Sequence, residues 1–393
     1  MPLDTAAVRA CFPALAQGLA HVDGPGGTQV PEAVGEAVAA AYRSAVSNRH
    51  GAFASSVRAD DIVDAAREAV ADLLGAQPAG VVFGQSMTAN TYVLAGALAK
   101  TWAPGDEVVV SRLDHDANVR PWVQAAARSG ATLRWADVEP VTCELPAEQY
   151  EHLLSERTRL VAVTAASNAT GTGPDLLAII DKAHQVGALV HIDGVHATPH
   201  GPVDVAALGA DLYACSAYKW YGPHLAATVA SPELLDTLHP DKLLASTEDV
   251  PDRFELGTPA FAQLVAVTAA VDWIASLGSG ATRRERLLSA MGDLQQHEQA
   301  VFARLLAGLQ DRPDVQLLGA PVRRTPTVAF TVEERTPQEV AVDLGRAGVA
   351  VWAGDYYAVE LMRAVGLGEH GAVRAGVVGY TCDDDVDRLL ESL

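Results

Sequence analysis

The sequence has few cysteines and no long apolar run. Its four cysteines lie far apart without a Cys-x-x-Cys pair, so neither a zinc site nor a disulfide framework is predicted. They are Cys11, Cys143, Cys215 and Cys382. The most apolar stretch, around residues 264–277, is interrupted by Asp272 and is too short to span a bilayer. Residues 1–20 lack a basic segment ahead of an apolar run, so we expect no signal peptide and a cytoplasmic protein.

Positive charge is also scarce. The chain carries 28 Lys and Arg residues against 49 Asp and Glu residues, a formal net charge of −21. Such a surface repels nucleic acid and anionic lipid, so neither is expected as a partner. An anionic ligand must instead be bound by a local arrangement of donors. With 393 residues, 49% of them hydrophobic, the chain is long enough for two or three domain-sized units.

Apolar runs alternate with helical patterns between residues 81 and 231. The runs are Val81–Phe83, Val108–Val110, Leu133–Val138, Leu160–Ala165, Leu189–Ile192, Leu212–Cys215 and Ala226–Ala230. Runs that are apolar throughout indicate strands buried on both faces. The pattern predicts an α/β fold with a mostly parallel seven-stranded sheet and helices on both sides.

The C-terminal third has a different pattern. A long helical region, about residues 281–309, precedes four further apolar runs: Val315–Leu318, Thr327–Val332, Val349–Trp352 and Val373–Val378. Thr336, Pro337 and Glu339 form a helix N-terminus signature, and Gly348 follows the end of that helix. We expect a large domain over 21–280, a smaller α/β domain over 281–393, and an N-terminal segment, 1–20, that packs on the smaller domain.

One aspartate and one lysine follow neighbouring predicted strands. Asp193 ends the run at Leu189–Ile192, and Lys219 follows the next run 26 residues later. Both therefore belong to the carboxyl edge of the sheet, where open α/β sheets bind ligands. A buried lysine with a lowered pKa can condense with an aldehyde cofactor. An aspartate that faces a pyridine nitrogen keeps that nitrogen protonated, so that the ring accepts electrons. As a pair alone, they could also be a surface lysine and a turn residue.

The surrounding motifs resemble a known family. Asp193-Gly-Val-His196 and Ser216-Ala-Tyr-Lys219 are similar to the core signature of the class V aminotransferases and cysteine desulfurases. These are fold type I enzymes that use pyridoxal 5′-phosphate (PLP), and the resemblance runs from about residue 21 to the C-terminus. It implies that Lys219 binds PLP, that Asp193 faces the ring nitrogen and that His196 belongs to the cofactor site.

The resemblance implies further cofactor contacts. Asn168, in Ser-Asn-Ala-Thr-Gly, should lie beside the cofactor oxygen and the substrate, and His115, in Asp-His-Asp-Ala-Asn, should stack on the ring and act in proton transfer. A second group should hold the phosphate, partly at a helix N-terminus. Its members are Ser86, Met87, Thr88, Ser216 and Tyr218.

Two more segments extend the resemblance. Gly257 and Thr258 are similar to a segment that reaches the partner subunit's phosphate, which implies a homodimer with shared active sites. Arg374, in Val-Arg-Ala-Gly, resembles the arginine that binds the substrate carboxylate, where a bidentate fork is suited to the task. The glycine-rich segment 23–31 should line the site.

The sequence departs from the family's pattern at one position that matters for the reaction. Cysteine desulfurases carry a loop cysteine that attacks the substrate sulfur, whereas the corresponding loop here, 352–358, has Tyr357. Tyr357 is then expected to contact the substrate. We predict C–S bond cleavage of a cysteine-type amino acid by β-elimination, without an enzyme persulfide. Aminotransferase and racemase or epimerase activities are the alternatives, and a non-catalytic protein of the same fold is a further one.

Overall fold

The computed structural model describes residues 3–368 and 370–393, and their strands form three sheets. The strands are β1 (Ala20–His21), β2 (Val81–Gly84), β3 (Glu107–Ser111), β4 (Thr132–Ala136), β5 (Thr158–Thr164), β6 (Leu189–Asp193), β7 (Leu212–Ser216), β8 (Ala226–Ala230), β9 (Val315–Leu318), β10 (Thr327–Val332), β11 (Val349–Ala350), β12 (Trp352–Gly354) and β13 (Ala372–Gly376). The large sheet has seven strands in the order β2-β8-β7-β6-β5-β3-β4, and all its neighbouring pairs are parallel except those that β8 makes. This confirms the predicted mostly parallel seven-stranded sheet.

Helices cover the sheets and connect their strands. The α-helices are α1 (Thr5–Ala10), α2 (Glu32–Arg43), α3 (Ala54–Leu74), α4 (Met87–Ala99), α5 (Arg120–Ser129), α6 (Tyr150–Leu153), α7 (Leu176–Gln185), α8 (Val205–Leu208), α9 (Pro232–Thr237), α10 (Phe261–Ser276), α11 (Arg283–Gln310), α12 (Pro337–Arg346), α13 (Val359–Ala364) and α14 (Asp383–Ser392). The predicted capping box at Thr336 and Glu339 is present at the start of α12. Among the residues that the structure describes, no helix combines the length and apolar character needed to cross a membrane.

The buried strands of the large sheet explain the apolar runs. Every residue of β3, β7 and β8 is buried, as expected for strands with helices on both faces. At the edge, β4 alternates between exposed and partly buried positions up to Ala136. Two hydrophobic clusters lie on the sheet's opposite faces, since Val109 and Val161 belong to one, and Val108 and Leu160 to the other. The central strands are thereby rigid supports for the residues at their carboxyl ends.

The C-terminal sheet corrects one predicted strand. Its order is β12-β13-β10-β9, with antiparallel neighbours throughout. The predicted run Val349–Trp352 is not one strand, because it is divided between two sheets. Val349 pairs with Ala20 in the small parallel sheet β1-β11, whereas Trp352 pairs with Arg374 in the four-stranded sheet. A continuous apolar run carries no signal for this change of partner.

The N-terminal segment contacts residues near the C-terminus. Arg9 in α1 donates to an Asp385 carboxylate oxygen at 2.6 Å and to the Tyr380 carbonyl at 2.6 Å. Phe12 packs its ring against Tyr221 and Trp273, at centroid distances of 5.8 and 5.1 Å. Strand β1 then pairs with β11. The domain limits at 20/21 and 280/281 stay predictions.

Three neighbouring strands of the large sheet end in polar residues. Thr164, Asp193 and Ser216 are the last residues of β5, β6 and β7, and all three are buried. The residue after Asp193 must be small, because a Cβ on Gly194 would lie 2.0 Å from the Tyr213 ring. The chain can therefore turn away from the sheet directly after the Asp193 carboxylate. The predicted carboxyl-edge location of Asp193 is present in the fold.

Candidate active site

A cavity of about 80 Å³ opens at the carboxyl edge of the large sheet. It is lined by Ser86, Met87, Thr88, His115, Ala117, Thr164, Ala166, Asn168, Asp193, Val195, His196, Ser216, Tyr218 and Lys219. Ten of the residues predicted for the cofactor site thus meet in one place. Asp193 and Lys219 form its floor, and the turn at residues 355–358, here called the rim turn, lies beside His115 at its outer side.

Burial shifts the pKa values of both floor residues. Asp193 is 5% exposed and Lys219 is 6% exposed. Burial raises the pKa of Asp193 to about 6, although its carboxylate accepts a hydrogen bond from the Val195 amide at 2.9 Å. Burial, together with the nearby Arg374 charge, lowers the pKa of Lys219 to about 7. A lysine with this pKa is substantially neutral near pH 7, as a nucleophilic amine must be. The Lys219 ammonium also donates to the Pro25 carbonyl.

His115 is held as a neutral imidazole in a defined tautomer. It begins the short turn Asp116–Asn118, and its Nδ1 accepts a hydrogen bond from the Ala117 amide at 3.0 Å. Burial and the Lys219 and Arg374 charges lower its pKa to about 3. Because Nδ1 is the acceptor, we assign the proton to Nε2. The Nε2–H group of His115 can therefore donate a hydrogen bond to a ligand in the cavity.

Unpartnered polar atoms identify where a ligand could bind. His196 places Nε2 within 3.0 and 3.1 Å of the Thr325 and Thr327 hydroxyls, but its buried Nδ1 has no partner among the described residues. Asn168 donates from Nδ2 to the Tyr356 carbonyl at 2.9 Å, and its Oδ1 is likewise buried without a partner within the described ranges. Buried polar atoms are normally hydrogen-bonded, so these two indicate a polar ligand in the cavity.

A helix N-terminus faces the cavity at the predicted phosphate position. Ser86 caps α4 by accepting from the Ala89 amide at 3.1 Å. The amides of Met87 and Thr88, in the first turn, have no carbonyl four residues earlier within the helix, so they can donate to an anion. Tyr218 stacks on His224, with ring centroids 5.0 Å apart, and burial raises the Tyr218 pKa, which keeps its hydroxyl protonated.

Arg374 extends from the C-terminal sheet to the backbone of Asn168, a cavity-lining residue, but is not itself one of the residues that line the cavity. It lies in β13, is buried, and donates to the Asn168 carbonyl and to the Asp23 carboxylate, each at 3.1 Å. Its guanidinium lies 4.5 Å from the centroid of the Tyr356 ring. The buried Nε has no partner in residues 3–368 or 370–393. Burial raises the Asp23 pKa, against the effect of the Arg374 charge. Arg374 thus keeps hydrogen-bonding capacity for an anionic group.

Some contributors were not predicted individually. The sequence indicated that segment 23–31 lines the site, but gave no role to Asp23 or to the Pro25 carbonyl. Asp114 also went unassigned, although it is buried beside His115 and accepts from Asn118 Nδ2 at 2.6 Å. Burial raises the Asp114 pKa to about 8. Its position next to His115 in the motif was the available signal.

The structure does not bring every predicted residue into the cavity. Gly257 and Thr258 are exposed in the loop before α10 and do not line it. They were predicted to act on a partner subunit, so their position here neither tests nor opposes that role. Tyr357 is 70% exposed, and its ring centroid lies 5.4 Å from that of His115. It stands beside the cavity without forming its wall.

These features fit PLP. A protonated ring nitrogen facing Asp193 would supply the counter-charge that this buried carboxylate lacks. Lys219 offers an amine of lowered pKa for the aldehyde, and the N-terminus of α4 offers donors for the phosphate. The open acceptor on Asn168 and the open nitrogen on His196 offer partners for polar groups of the ring.

Comparisons with known proteins agree with this chemistry. Residues 20–389 match the class-V aminotransferase family. An uncharacterised protein of Mycobacterium tuberculosis is 36% identical over 100% of this chain and 99% of its own length, and a cysteine desulfurase of Dickeya dadantii is 35% identical over 100% and 96%. The solved structure of a cysteine desulfurase from Thermococcus onnurineus has a TM-score of 0.90 at 25% identity, covering 100% of this chain and 97% of that one. The chain belongs to the class-V aminotransferase family and is a PLP-dependent enzyme of the cysteine desulfurase-like type.

Proposed function

We propose that this enzyme cleaves the C–S bond of a cysteine-type amino acid by β-elimination and forms no persulfide on itself. A substrate of this class and one water would give pyruvate, ammonium and a thiol. Relatives named as cysteine desulfurases support chemistry at the sulfur of cysteine. The observation that carries the proposal is the position of the thiols in the fold.

The four cysteines are unsuited to attack a substrate in the cavity. None is among the cavity-lining residues in the part of the chain that the structure describes. Cys143 and Cys215 lie in the main hydrophobic core, where burial raises their pKa values to about 11 and about 12. Cys11 ends α1 and Cys382 begins α14. A thiol that stays protonated is a poor nucleophile, so elimination is favoured over sulfur transfer to the enzyme.

We propose the following roles for the site residues. PLP, when bound, would supply an electron sink for the negative charge that develops at the substrate's α-carbon. Lys219 Nζ would hold the cofactor and would take the proton from the substrate's α-carbon. Arg374 binds the α-carboxylate through its guanidinium. His115 would donate a hydrogen bond from its Nε2–H group to the leaving sulfur. Asp193 supplies negative charge at the ring nitrogen.

The remaining predicted residues hold the cofactor in this proposal. Donors at the start of α4 and after β7 would bind the phosphate, namely Ser86, Met87, Thr88, Ser216 and Tyr218. Asn168 and His196 would bind polar groups of the ring through the atoms that have no partner among the described residues. Tyr357 would contact the substrate side chain beside His115.

Product analysis separates this reaction from sulfur transfer to the enzyme. Purified enzyme is incubated with L-cysteine, L-cystine and S-alkyl cysteines, and pyruvate, ammonia, sulfide and alanine are quantified separately. Pyruvate and ammonia in equal amounts support the proposal. Alanine, together with a persulfide on a cysteine, would contradict it and show transfer of sulfur to the enzyme. A matched control replaces all four cysteines, Cys143 and Cys215 by Ala and Cys11 and Cys382 by Ser. Retained turnover in a folded variant is expected.

We also propose a homodimer with shared active sites. Gly257, with a φ of +88°, and Thr258 are exposed on a loop whose neighbour Leu256 is 62% exposed. Such a loop is available to reach a second copy. Sedimentation should give twice the chain mass, and Thr258→Ala should weaken PLP binding. A monomer that is fully active at high dilution would contradict this arrangement.

A further inference from the structure

The rim turn has an unusual backbone that its neighbours hold in place. Tyr356 and Tyr357 have φ values of +54° and +58°, in the left-handed region that bulky residues rarely adopt. Two hydrogen-bond donors from segments next to the large sheet bind backbone carbonyls of the rim turn. The Asp116 amide donates to the Tyr357 carbonyl at 2.7 Å, and Asn168 Nδ2 donates to the Tyr356 carbonyl at 2.9 Å. A backbone of this kind persists only where surrounding contacts maintain it.

One arginine contacts both Asp116 and the helix that follows the rim turn. Arg120, the first residue of α5, places a single nitrogen, Nη2, 2.8 Å from an Asp116 carboxylate oxygen and 3.3 Å from a Glu360 carboxylate oxygen. Asp116 is the residue whose amide binds Tyr357, and Glu360 lies in α13, which directly follows the rim turn. Arg120 therefore links the support of the turn to the helix that continues it.

A second arginine attaches Glu360 to the large sheet. Arg112 contacts the Glu360 carboxylate at 3.2 Å and Asp137 at 2.5 Å, and its guanidinium lies 4.8 Å from the centroid of the Trp135 ring. The Glu360 side chain is only 9% exposed. A third contact, from Arg363 at 3.2 Å, comes from within α13 itself. Arg363 contacts Glu360 but not Asp116, so it offers a matched comparison with Arg120.

We propose that Arg120 is a positioning residue that keeps Tyr357 beside His115. Arg120 Nη2 joins the Asp116 and Glu360 carboxylates, whereas Arg112 and Arg363 contact Glu360 alone of these two. Removing the Arg120 guanidinium would loosen the hydrogen bond from Asp116 to Tyr357 and release the turn from its left-handed backbone. Tyr357 would then become a mobile side chain instead of one that is held beside His115 at the edge of the cavity. The kinetic test rests on the proposed function, whereas the exchange test does not.

Amide hydrogen exchange tests the positioning role without turnover. Arg120→Ala, Arg120→Lys and Arg363→Ala are compared with the parent enzyme in the PLP-bound form, following the peptides that contain Asp116 and residues 355–358. Arg120→Ala should speed exchange of the Asp116 amide about fivefold, the size expected for losing two partly exposed ion pairs. Arg363→Ala should leave it unchanged, and Arg120→Lys, which keeps the charge, should lie between the two.

Steady-state kinetics then show whether the fixed turn serves the substrate. Arg120→Ala should raise KM about fivefold with kcat within about twofold, because a substrate contact is lost while the floor of the cavity is intact. Equal exchange in Arg120→Ala and the parent, or equal acceleration in Arg120→Ala and Arg363→Ala, would overturn the positioning role. Alanine as the product of the parent enzyme would instead overturn the proposed function and leave the exchange result standing.

Discussion

At the floor of the cavity, Asp193 and Lys219 are more than nine-tenths buried, whereas at the rim 70% of Tyr357 is exposed. Burial has moved the pKa values of both floor residues toward neutrality, and we propose that they act through these shifts. The rim depends on position, since its backbone hydrogen bonds and ion pairs hold Tyr357 beside His115. Changes at the floor should therefore alter the chemistry strongly, and changes at the rim should alter substrate binding modestly. Four experiments test this difference.

The largest effect is expected at Lys219. Lys219→Ala should give a colourless protein whose turnover falls by about a thousandfold or more, because the nucleophilic amine is lost. Borohydride reduction of the parent followed by peptide mapping should find the cofactor on Lys219. The matched control is Lys182→Ala, since Lys182 pairs with Glu151 at the surface. Cofactor fixed on Lys182 or Lys242 would contradict the assignment.

The second-largest effect is expected at Asp193, where a substitution should lower the turnover rate but change the PLP content little. Asp193→Asn keeps the size of the side chain but removes the charge that is proposed to hold the ring nitrogen protonated. We expect kcat to fall about a hundredfold, as for loss of one preorganised electrostatic contact, while PLP content stays near that of the parent. Asp175→Asn, at the cap of α7, should leave both unchanged. Near-normal turnover in Asp193→Asn would contradict the proposed role of the Asp193 charge in the reaction.

The pH dependence of PLP uptake should reveal the lowered pKa of Lys219. Only the neutral amine attacks an aldehyde, and a pKa of about 7 makes its neutral fraction rise with pH. The rate at which cofactor-free enzyme binds PLP should therefore increase about tenfold from about pH 6 to about pH 8 and then level off.

The same experiment has an internal check. The Arg374 charge contributes to lowering the Lys219 pKa, so Arg374→Gln should move the midpoint to higher pH. A rate that still rises steeply above about pH 9 in the parent would show an ordinary lysine pKa.

The smallest effect is expected at the rim. Tyr357→Phe removes a hydroxyl but keeps the ring beside His115, so turnover should fall only about threefold, the value of one lost hydrogen bond. PLP content, measured from absorbance after release of the cofactor, should not change. A loss as large as that in Asp193→Asn would mean that the phenol takes part in the chemistry, and the contrast between floor and rim would disappear.

The sequence could predict the floor because its signals are local. Apolar runs mark buried strands, and the residues that end them, Asp193 and Ser216, necessarily share one edge of a parallel sheet. Asp23 carried no such signal, because its partner Arg374 is 351 positions away. Tyr356 was missed for another reason, since the atom that binds Asn168 is its backbone carbonyl, which any residue has.

Strand limits show the same division between local and distant information. The run Val349–Trp352 predicted extended backbone correctly, but its division into β11 and β12 depends on pairing with Ala20 and Arg374. Those partners lie near opposite ends of the chain. Alternation and apolar content do not encode which distant segment a strand will meet.

The Asp23–Arg374 pair has a consequence for synthesis on the ribosome. Segment 23–31 emerges early, with the carbonyl that binds Lys219 and the carboxylate that binds Arg374. All strands of the large sheet have been translated once the chain reaches Ala230, but β1 must wait for β11, and Asp23 must wait for β13. Contacts between such distant segments form slowly. In a nascent chain, Asp193 and Lys219 are therefore present well before Arg374, the residue proposed to bind the substrate's carboxylate, has been translated.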